Sequence, residues 1–172
     1  MSQRRIRGTL SQWRQNALRQ MERSRNATLR LLASIPEDEI LRPRTQGEWS
    51  IKDVLAHIVA WEEEAVKRLA LIAKGKGERI VFYDDMRAAD EFNARAVAAA
   101  RSTSLSALVK RAARARQRLV DSLLQLPLNS LNDPSQRYPV IAWLPEFAWT
   151  HEGAHRRRIR EWWRAQRNQA RD

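Results

Sequence analysis

The sequence predicts an all-α protein, a four-helix bundle with a long crossover between its second and third helices. Apolar residues recur at helical spacing through four long segments of the 172-residue chain. Five glycines and six prolines mark a few boundaries between these segments. Long amphipathic helices without strand patterns are typical of a bundle. A chain of this length is most simply one domain, covering residues 1–172.

The start of the second helix carries the clearest local signal. The first helix is predicted over about residues 9–34, and a polar stretch at residues 37–47 leads to the second. Ser50 followed by Asp53 is a capping-box pattern, which indicates a helix beginning there. The apolar residues that follow at helical spacing are Ile51, Val54, Leu55, Ile58, Trp61, Ala65 and Leu69. His57 is therefore expected beside the buried stripe.

Glycines, prolines and the spacing of apolar residues also locate the helices in the crossover and in the second half of the chain. Residues 74–78 contain two glycines and break the second helix, residues 80–83 form a short apolar piece, and residues 86–101 are predicted to be helical. The stripe of the third long helix is Leu105, Leu108, Ala112, Ala115, Leu119 and Leu123. Residues 128–139 are predicted as a loop. The last helix is expected to begin near Pro145, because proline is favourable in a first helical turn.

The composition excludes several classes of protein. Hydrophobic residues make up 43% of the chain, but no run approaches the ~18 uncharged apolar residues of a membrane helix. The basic N-terminus leads into no apolar stretch, so no signal peptide and no membrane partner are expected, and the expected location is cytoplasmic. There are no cysteines, which excludes disulfides, thiolate metal ligands and a cysteine nucleophile.

The net charge of +12 raises the question of nucleic acid, since a basic surface attracts polyanions of any sequence. The arginines are spread along several amphipathic segments, and no recognised nucleic-acid motif is present. We interpret them as solvated helix faces. A nucleic-acid surface is the alternative, and it predicts an affinity that falls steeply with salt.

The three histidines of the chain fall in a pattern that a metal ion can use. His151 and His155 are four residues apart, so they share one helix face with Cβ atoms roughly 5–6 Å apart. His57 on the second helix can face them, because bundles build metal sites from inward side chains of facing helices. Three imidazoles with an open position are typical of catalytic zinc. The alternative is that they are ordinary histidines of the core.

The same segment overlaps a protease signature. Residues 151–155 read H-E-x-x-H, in which the glutamate would be a general base. The extended form of that motif needs Gly and His where this chain has Arg158 and Glu161, and no strand pattern lies upstream. A protease is therefore disfavoured. Glu152 remains a candidate catalytic residue that takes a proton beside the open metal position, and its alternative is an exposed surface carboxylate.

Four further residues are weaker candidates. Glu64, two turns after His57, is a fourth ligand, a hydrogen-bond partner of a ligand, or an ordinary surface glutamate. Asp53 is expected to belong to the helix cap, and the alternative is that it orients an imidazole. Trp61 and Trp149 flank the predicted site, where they either line a pocket or pack in the core.

Residues 48–63 (EWSIKDVLAHIVAWEE) resemble the second-helix motif of the DinB/YfiT-like superfamily of four-helix-bundle metalloenzymes, which contains the family's first metal histidine. The pair His151 and His155 is similar to that family's fourth-helix pair. The segments that resemble the ClbS/DfsB branch more narrowly are residues 90–95, the helix start at 104–105, and residues 159–162 with His155. The resemblance spans nearly the whole chain.

This resemblance implies an up-down-down-up bundle that is often a homodimer. It also implies a divalent ion, most often zinc or nickel, held by His57, His151 and His155. Activities in the superfamily include thiol-cofactor-dependent isomerases and S-transferases, and the ClbS/DfsB branch includes a self-protection hydrolase that opens a genotoxin's cyclopropane. Several members of that branch lack the full triad, which this chain has.

Two functional hypotheses follow. The first is a metal-dependent enzyme that hydrolyses a small electrophilic substrate or transfers a low-molecular-weight thiol to it. The second is a non-catalytic bundle that sequesters a small ligand, or protects in the manner of ClbS. Both expect a small molecule as the partner, and neither identifies the substrate.

Overall fold

The computed structural model describes residues 3–83 and 85–169, with side chains from residue 8 onward. The seven α-helices of these ranges are α1 (Gln3–Ala33), α2 (Glu37–Leu41), α3 (Ile51–Ala73), α4 (Met86–Ala100), α5 (Leu105–Gln125), α6 (Val140–Phe147) and α7 (Trp149–Gln169). Short 3-10 turns follow α3 and α5, at Gly77–Arg79 and Leu128–Asn132. The described residues form no strand, which confirms the all-α prediction. None of their helices is both long and apolar enough to cross a membrane.

The long helices α1, α3, α5 and α7 form the bundle, and two apolar clusters fix their directions. One cluster joins the beginning of α1 and Ala148, just before α7, to the ends of α3 and α5. The other joins the end of α1 and the second half of α7 to the beginnings of α3 and α5. Helices α1 and α7 therefore run one way and α3 and α5 the other, which is the up-down-down-up order. Helix α4 lies in the crossover between α3 and α5.

The helix starts follow the predicted chemistry. The Ser50 hydroxyl accepts a hydrogen bond from the backbone N–H of Asp53 at 3.1 Å, and the Asp53 carboxylate accepts one from the Ser50 N–H at 3.0 Å. This is the reciprocal capping box, so the prediction for Asp53 is confirmed. Ser104 caps α5 and Asp85 caps α4 in the same way, each through one side-chain oxygen.

The last helix differs from its prediction. Pro145 does not start it but lies inside the short helix α6, which begins directly after Pro139. The break comes at Ala148, whose backbone angles (φ −123°, ψ −99°) are not helical, and α7 begins at Trp149. The apolar residues of α6 pack into the first cluster as a separate helix, and spacing alone could not separate them from α7. The stretches predicted as polar connection and loop also contain α2 and a 3-10 turn.

A layer of buried charge separates the two apolar clusters. Each long helix contributes one member: Arg25 from α1, Glu62 from α3, Arg116 from α5 and Glu152 from α7, all at most 7% exposed. We call these four residues the charge layer. The Arg25 guanidinium lies 2.6 Å from Glu62 and 3.2 Å from Glu152. That of Arg116 lies 2.9 Å from Glu152, also contacts Glu62, and donates a hydrogen bond to a backbone carbonyl of α1.

The formal charges of the layer cancel, which is what allows it to be buried. Burial raises the pKa of the Glu62 carboxyl, and the neighbouring Arg116 and Arg25 oppose that shift. Two acids and two bases from four helices can pair in this way only when the helices stand at one relative height. The charge layer therefore fixes the register of the bundle.

Removing one member should cost more than removing a balanced pair. We expect Arg116→Met to lower the free energy of unfolding by about 3–5 kcal/mol, because it leaves two carboxylates facing one guanidinium in the interior. The double variant Arg116→Met with Glu62→Gln keeps a neutral pair and should recover part of that loss. Arg118→Met, at an exposed position of the same helix, is the matched control. Urea unfolding measures all three, and equal stability of the two single variants would show that the layer contributes nothing.

Candidate metal centre

The structure brings the three histidines together. His57 lies in the second turn of α3, and His151 and His155 lie in the first two turns of α7. The Nε2 atom of His151 is 2.8 Å from that of His57 and 3.0 Å from that of His155. One ring nitrogen from each residue falls within 4.8 Å of the others. The predicted convergence of two distant segments is thus the observed geometry.

Helical spacing explains why these side chains meet. His57 occupies the buried stripe of α3 and is 5% exposed, between Val54 and Trp61. His151 and His155 stand one turn apart on the side of α7 that faces α3. The three rings pack nearly perpendicular to one another, with centroids 4.6–5.0 Å apart. This packing holds their Nε2 edges toward one point.

The surroundings keep all three imidazoles neutral. Burial, together with the positive charges of His151 and His155 when they are protonated, lowers the pKa of His57 from 6.5 to about 3, and a hydrogen bond to the Asn93 side chain opposes the shift. Burial lowers the pKa of His151 to about 4, with His155 adding to the shift. The pKa of His155 is also lowered to about 4, by burial and by the charge of Arg158. Neutral imidazole is the form that binds a metal.

These residues fit a single divalent cation. The Nε2 atoms of the three neutral imidazoles converge, and a neutral imidazole cannot donate and accept a hydrogen bond at the same nitrogen. One cation can accept the lone pairs of all three. The Nδ1 atoms of His57 and His151 are buried without a hydrogen-bond partner among the described residues, and packing between the rings helps to orient both imidazoles. Nitrogen-only ligation suits zinc and nickel better than magnesium or calcium.

Aromatic residues from the crossover and from α6 enclose one side of the centre. The Trp61 ring lies 6.4 Å from the rings of both His57 and His151, and it packs against Tyr83, Phe92 and Phe147. Its indole N–H donates a 2.9 Å hydrogen bond to the side chain of Asn93. The prediction that Trp61 flanks the site is confirmed. The contribution of the crossover was missed, because residues 80–83 show only a short apolar run.

The buried guanidinium of Arg68 packs against several of these aromatic rings. Arg68 is 2% exposed, and its guanidinium lies 4.3 Å from the Phe147 ring and 4.8 Å from the Phe82 ring. It also donates a 2.8 Å hydrogen bond to the backbone carbonyl of Val81. Arg68 of α3 thereby ties the crossover to the bundle through cation–π contacts and a charged hydrogen bond. Nothing in the sequence pattern distinguished it from a surface arginine.

The other side of the centre is open to a pocket of about 420 Å³. Its lining includes His155 of the centre and Trp49, whose ring lies 5.0 Å from that of His57. Trp49 precedes α3 in a tight turn, in which Gln46 and Trp49 pair through their backbones and Gly47 takes a φ of +69°. This positive φ favours glycine at position 47. The pocket gives a small molecule access to the imidazole of His155.

Two predicted carboxylates lie elsewhere. Glu152 is fully buried in the charge layer, bound by Arg116 and Arg25, so the alternative of an exposed surface carboxylate is wrong. Its part in proton transfer stays a prediction. The side chain of Glu64 is 14% exposed and pairs with Arg68, outside the three-histidine group found among the described residues. Trp149 packs against the first apolar cluster.

Acid should destabilise the metal-free protein in a defined window. The folded pKa of His57, about 3, lies below its unfolded value of 6.5, so between about pH 6.5 and pH 3 the unfolded chain binds more protons. The free energy of unfolding therefore has its full value above pH 6.5 and decreases as the pH falls below it. At pH 5 the loss through His57 alone should be on the order of 2 kcal/mol. Urea unfolding at pH 7.5 and 5 should show a smaller loss for His57→Gln, and an unchanged loss would contradict this origin.

The comparisons with known proteins agree with this architecture. The structure of an uncharacterised protein from Escherichia coli UTI89 is similar, with a TM-score of 0.76 and 15% identity, over 90% of this chain and 94% of that one. At that identity the likeness concerns the fold alone. No curated protein matches the sequence. The closer resemblance to the ClbS/DfsB branch stays a prediction. The model of the DinB superfamily matches residues 20–171, and the chain therefore belongs to that superfamily.

Proposed function

We propose that the protein is a metal-dependent enzyme whose zinc or nickel ion is held by His57, His151 and His155. Its reaction would be hydrolysis of a small electrophilic molecule, or transfer of a low-molecular-weight thiol to it. The observation that carries the proposal is the convergence of three neutral imidazoles beside a pocket. Three protein ligands leave a coordination position open, which is typical of catalytic rather than structural sites.

In this proposal the three histidines would hold the ion, and the neighbouring aromatic residues and the pocket would surround the substrate. A divalent ion held by three neutral imidazoles supplies Lewis acidity, which lowers the pKa of a water or thiol bound to it. Burial keeps the three imidazoles unprotonated at neutral pH. Trp49 and Trp61 both pack against the ring of His57, with centroids 5.0 and 6.4 Å away. His155 belongs to both the centre and the pocket, so a molecule in the pocket would come close to an ion that the histidines hold.

Metal content tests the first half of the proposal. Purified protein supplied with zinc or nickel and then dialysed should retain about one ion per chain. His57→Ala should lose most of it, because two imidazoles on one helix turn bind far more weakly than three. Glu64→Gln, on the same helix but outside the histidine group, is the matched control and should retain the ion. Elemental analysis by mass spectrometry gives the result. No retained ion, or equal content in His57→Ala and wild type, would contradict the proposal.

Turnover tests the second half. Metal-loaded protein should convert at least one member of a panel of small electrophiles, such as epoxides, activated esters and maleimides, with or without a low-molecular-weight thiol. Chelation or His57→Ala should lower the rate at least a hundredfold, because the ion would supply several kcal/mol of transition-state stabilisation. Product formation is followed by liquid chromatography. Tight binding of an electrophile without turnover would favour the non-catalytic, ligand-sequestering alternative.

A further inference from the structure

The lining of the pocket beside the centre combines apolar side chains with a single arginine and no acidic residue. It lies between the turn at residues 45–49, the first turn of α3 and the middle of α7. Trp49, Val54 and Trp162 supply apolar surface. A volume of about 420 Å³ falls in the range of small-molecule sites. The lining contains no aspartate or glutamate.

The aromatic surface is held in place by contacts outside the pocket. The Trp162 ring stacks on Trp163 with centroids 6.0 Å apart, and the Arg42 guanidinium lies 5.7 Å from the Trp162 ring. The turn described above fixes Trp49 against His57. Two indoles with settled positions can bind a flat molecule without the entropic cost of ordering long side chains.

The arginine of the lining, Arg158, has no acidic partner among the described residues. Arg158 is exposed, and within the described part of the chain it makes no hydrogen bond or ion pair. It is one turn from the ligand His155, close enough for its charge to act on that imidazole. The hydroxyl of Thr45, itself buried, also has no hydrogen-bond partner. A guanidinium and a hydroxyl in one lining are suited to a carboxylate, which accepts two parallel N–H bonds from arginine.

We infer that this pocket binds small aromatic carboxylates, with the carboxylate on Arg158 and the ring against Trp49 and Trp162. The part of the inference that places the substrate's other end at the ion, beside His155, rests on the proposed function. The anion and ring sites themselves do not require a metal. Arg158 is thus a specificity residue, since it would contact the substrate away from the reacting end.

The test compares two probes of the same shape, 1-naphthoate and its neutral amide, 1-naphthamide. Isothermal titration calorimetry with wild-type protein should show naphthoate binding at least tenfold more tightly than naphthamide. Arg158→Gln should lower the affinity for naphthoate at least tenfold and change the affinity for naphthamide by less than twofold. A tenfold loss is the effect expected of one charge-assisted contact. Arg157→Gln removes an exposed charge from the preceding position of the same helix, outside the lining. It should change the dissociation constant of neither probe by more than twofold.

Trp162→Leu supplies a second measurement, because it should weaken both probes alike by removing ring surface. Equal effects of Arg158→Gln and Arg157→Gln would overturn the inference, since they would reduce Arg158 to general surface charge. So would equal affinities of naphthoate and naphthamide for the wild-type protein. Circular dichroism confirms that each variant is folded before it is titrated.

Repeating the titrations with zinc-loaded and metal-free protein separates this inference from the proposed function. Arg158-dependent binding of naphthoate to a protein that retains no ion would support the pocket and contradict the metalloenzyme. Binding that needs zinc but ignores Arg158→Gln would place the carboxylate on the ion, which overturns the pocket inference and leaves the metal site standing. Binding that depends on Arg158 in both forms supports the inference.

Discussion

The buried charge layer is the interaction on which the rest of the bundle depends. Apolar burial has no preferred direction, whereas a guanidinium and a carboxylate in the interior must meet at hydrogen-bond distance. One such group on each long helix therefore selects a single relative height for the four helices. Glu152 directly follows His151, so the contact that fixes α7 also fixes the first imidazole of that helix opposite His57.

The candidate centre depends on the same interior in a different way. The burial that makes a charged imidazole unfavourable also keeps three lone pairs available to a cation. Ring packing helps to orient the histidines, since the Nδ1 atoms of His57 and His151 have no hydrogen-bond partner among the described residues. Aromatic residues of the crossover close one side, and the turn before α3 leaves a pocket on the other. The three histidines are thus covered by aromatic side chains on one side and border a pocket on the other.

The sequence predicted the parts that depend on local spacing. The stripe on α3 placed His57 inward, the four-residue interval paired His151 with His155, and the cap at Ser50 located the helix start. The charge layer was not predictable, because Arg116 and Glu152 look like surface residues when each is considered alone. Their burial depends on partners 36 to 127 positions away in the chain. The pocket was missed for a similar reason, since its lining joins a turn to a distant helix.

The break at Ala148 has a consequence for the electrostatics of the centre. Had α6 and α7 formed one helix, His151 would lie in its middle, far from either end. Instead α7 begins at Trp149, so His151 lies in the first turn, where the helix macrodipole presents its positive end. That partial charge opposes protonation of the imidazole and stabilises negative charge that develops beside it. A single non-helical residue thereby gives the site an electrostatic bias toward anionic species.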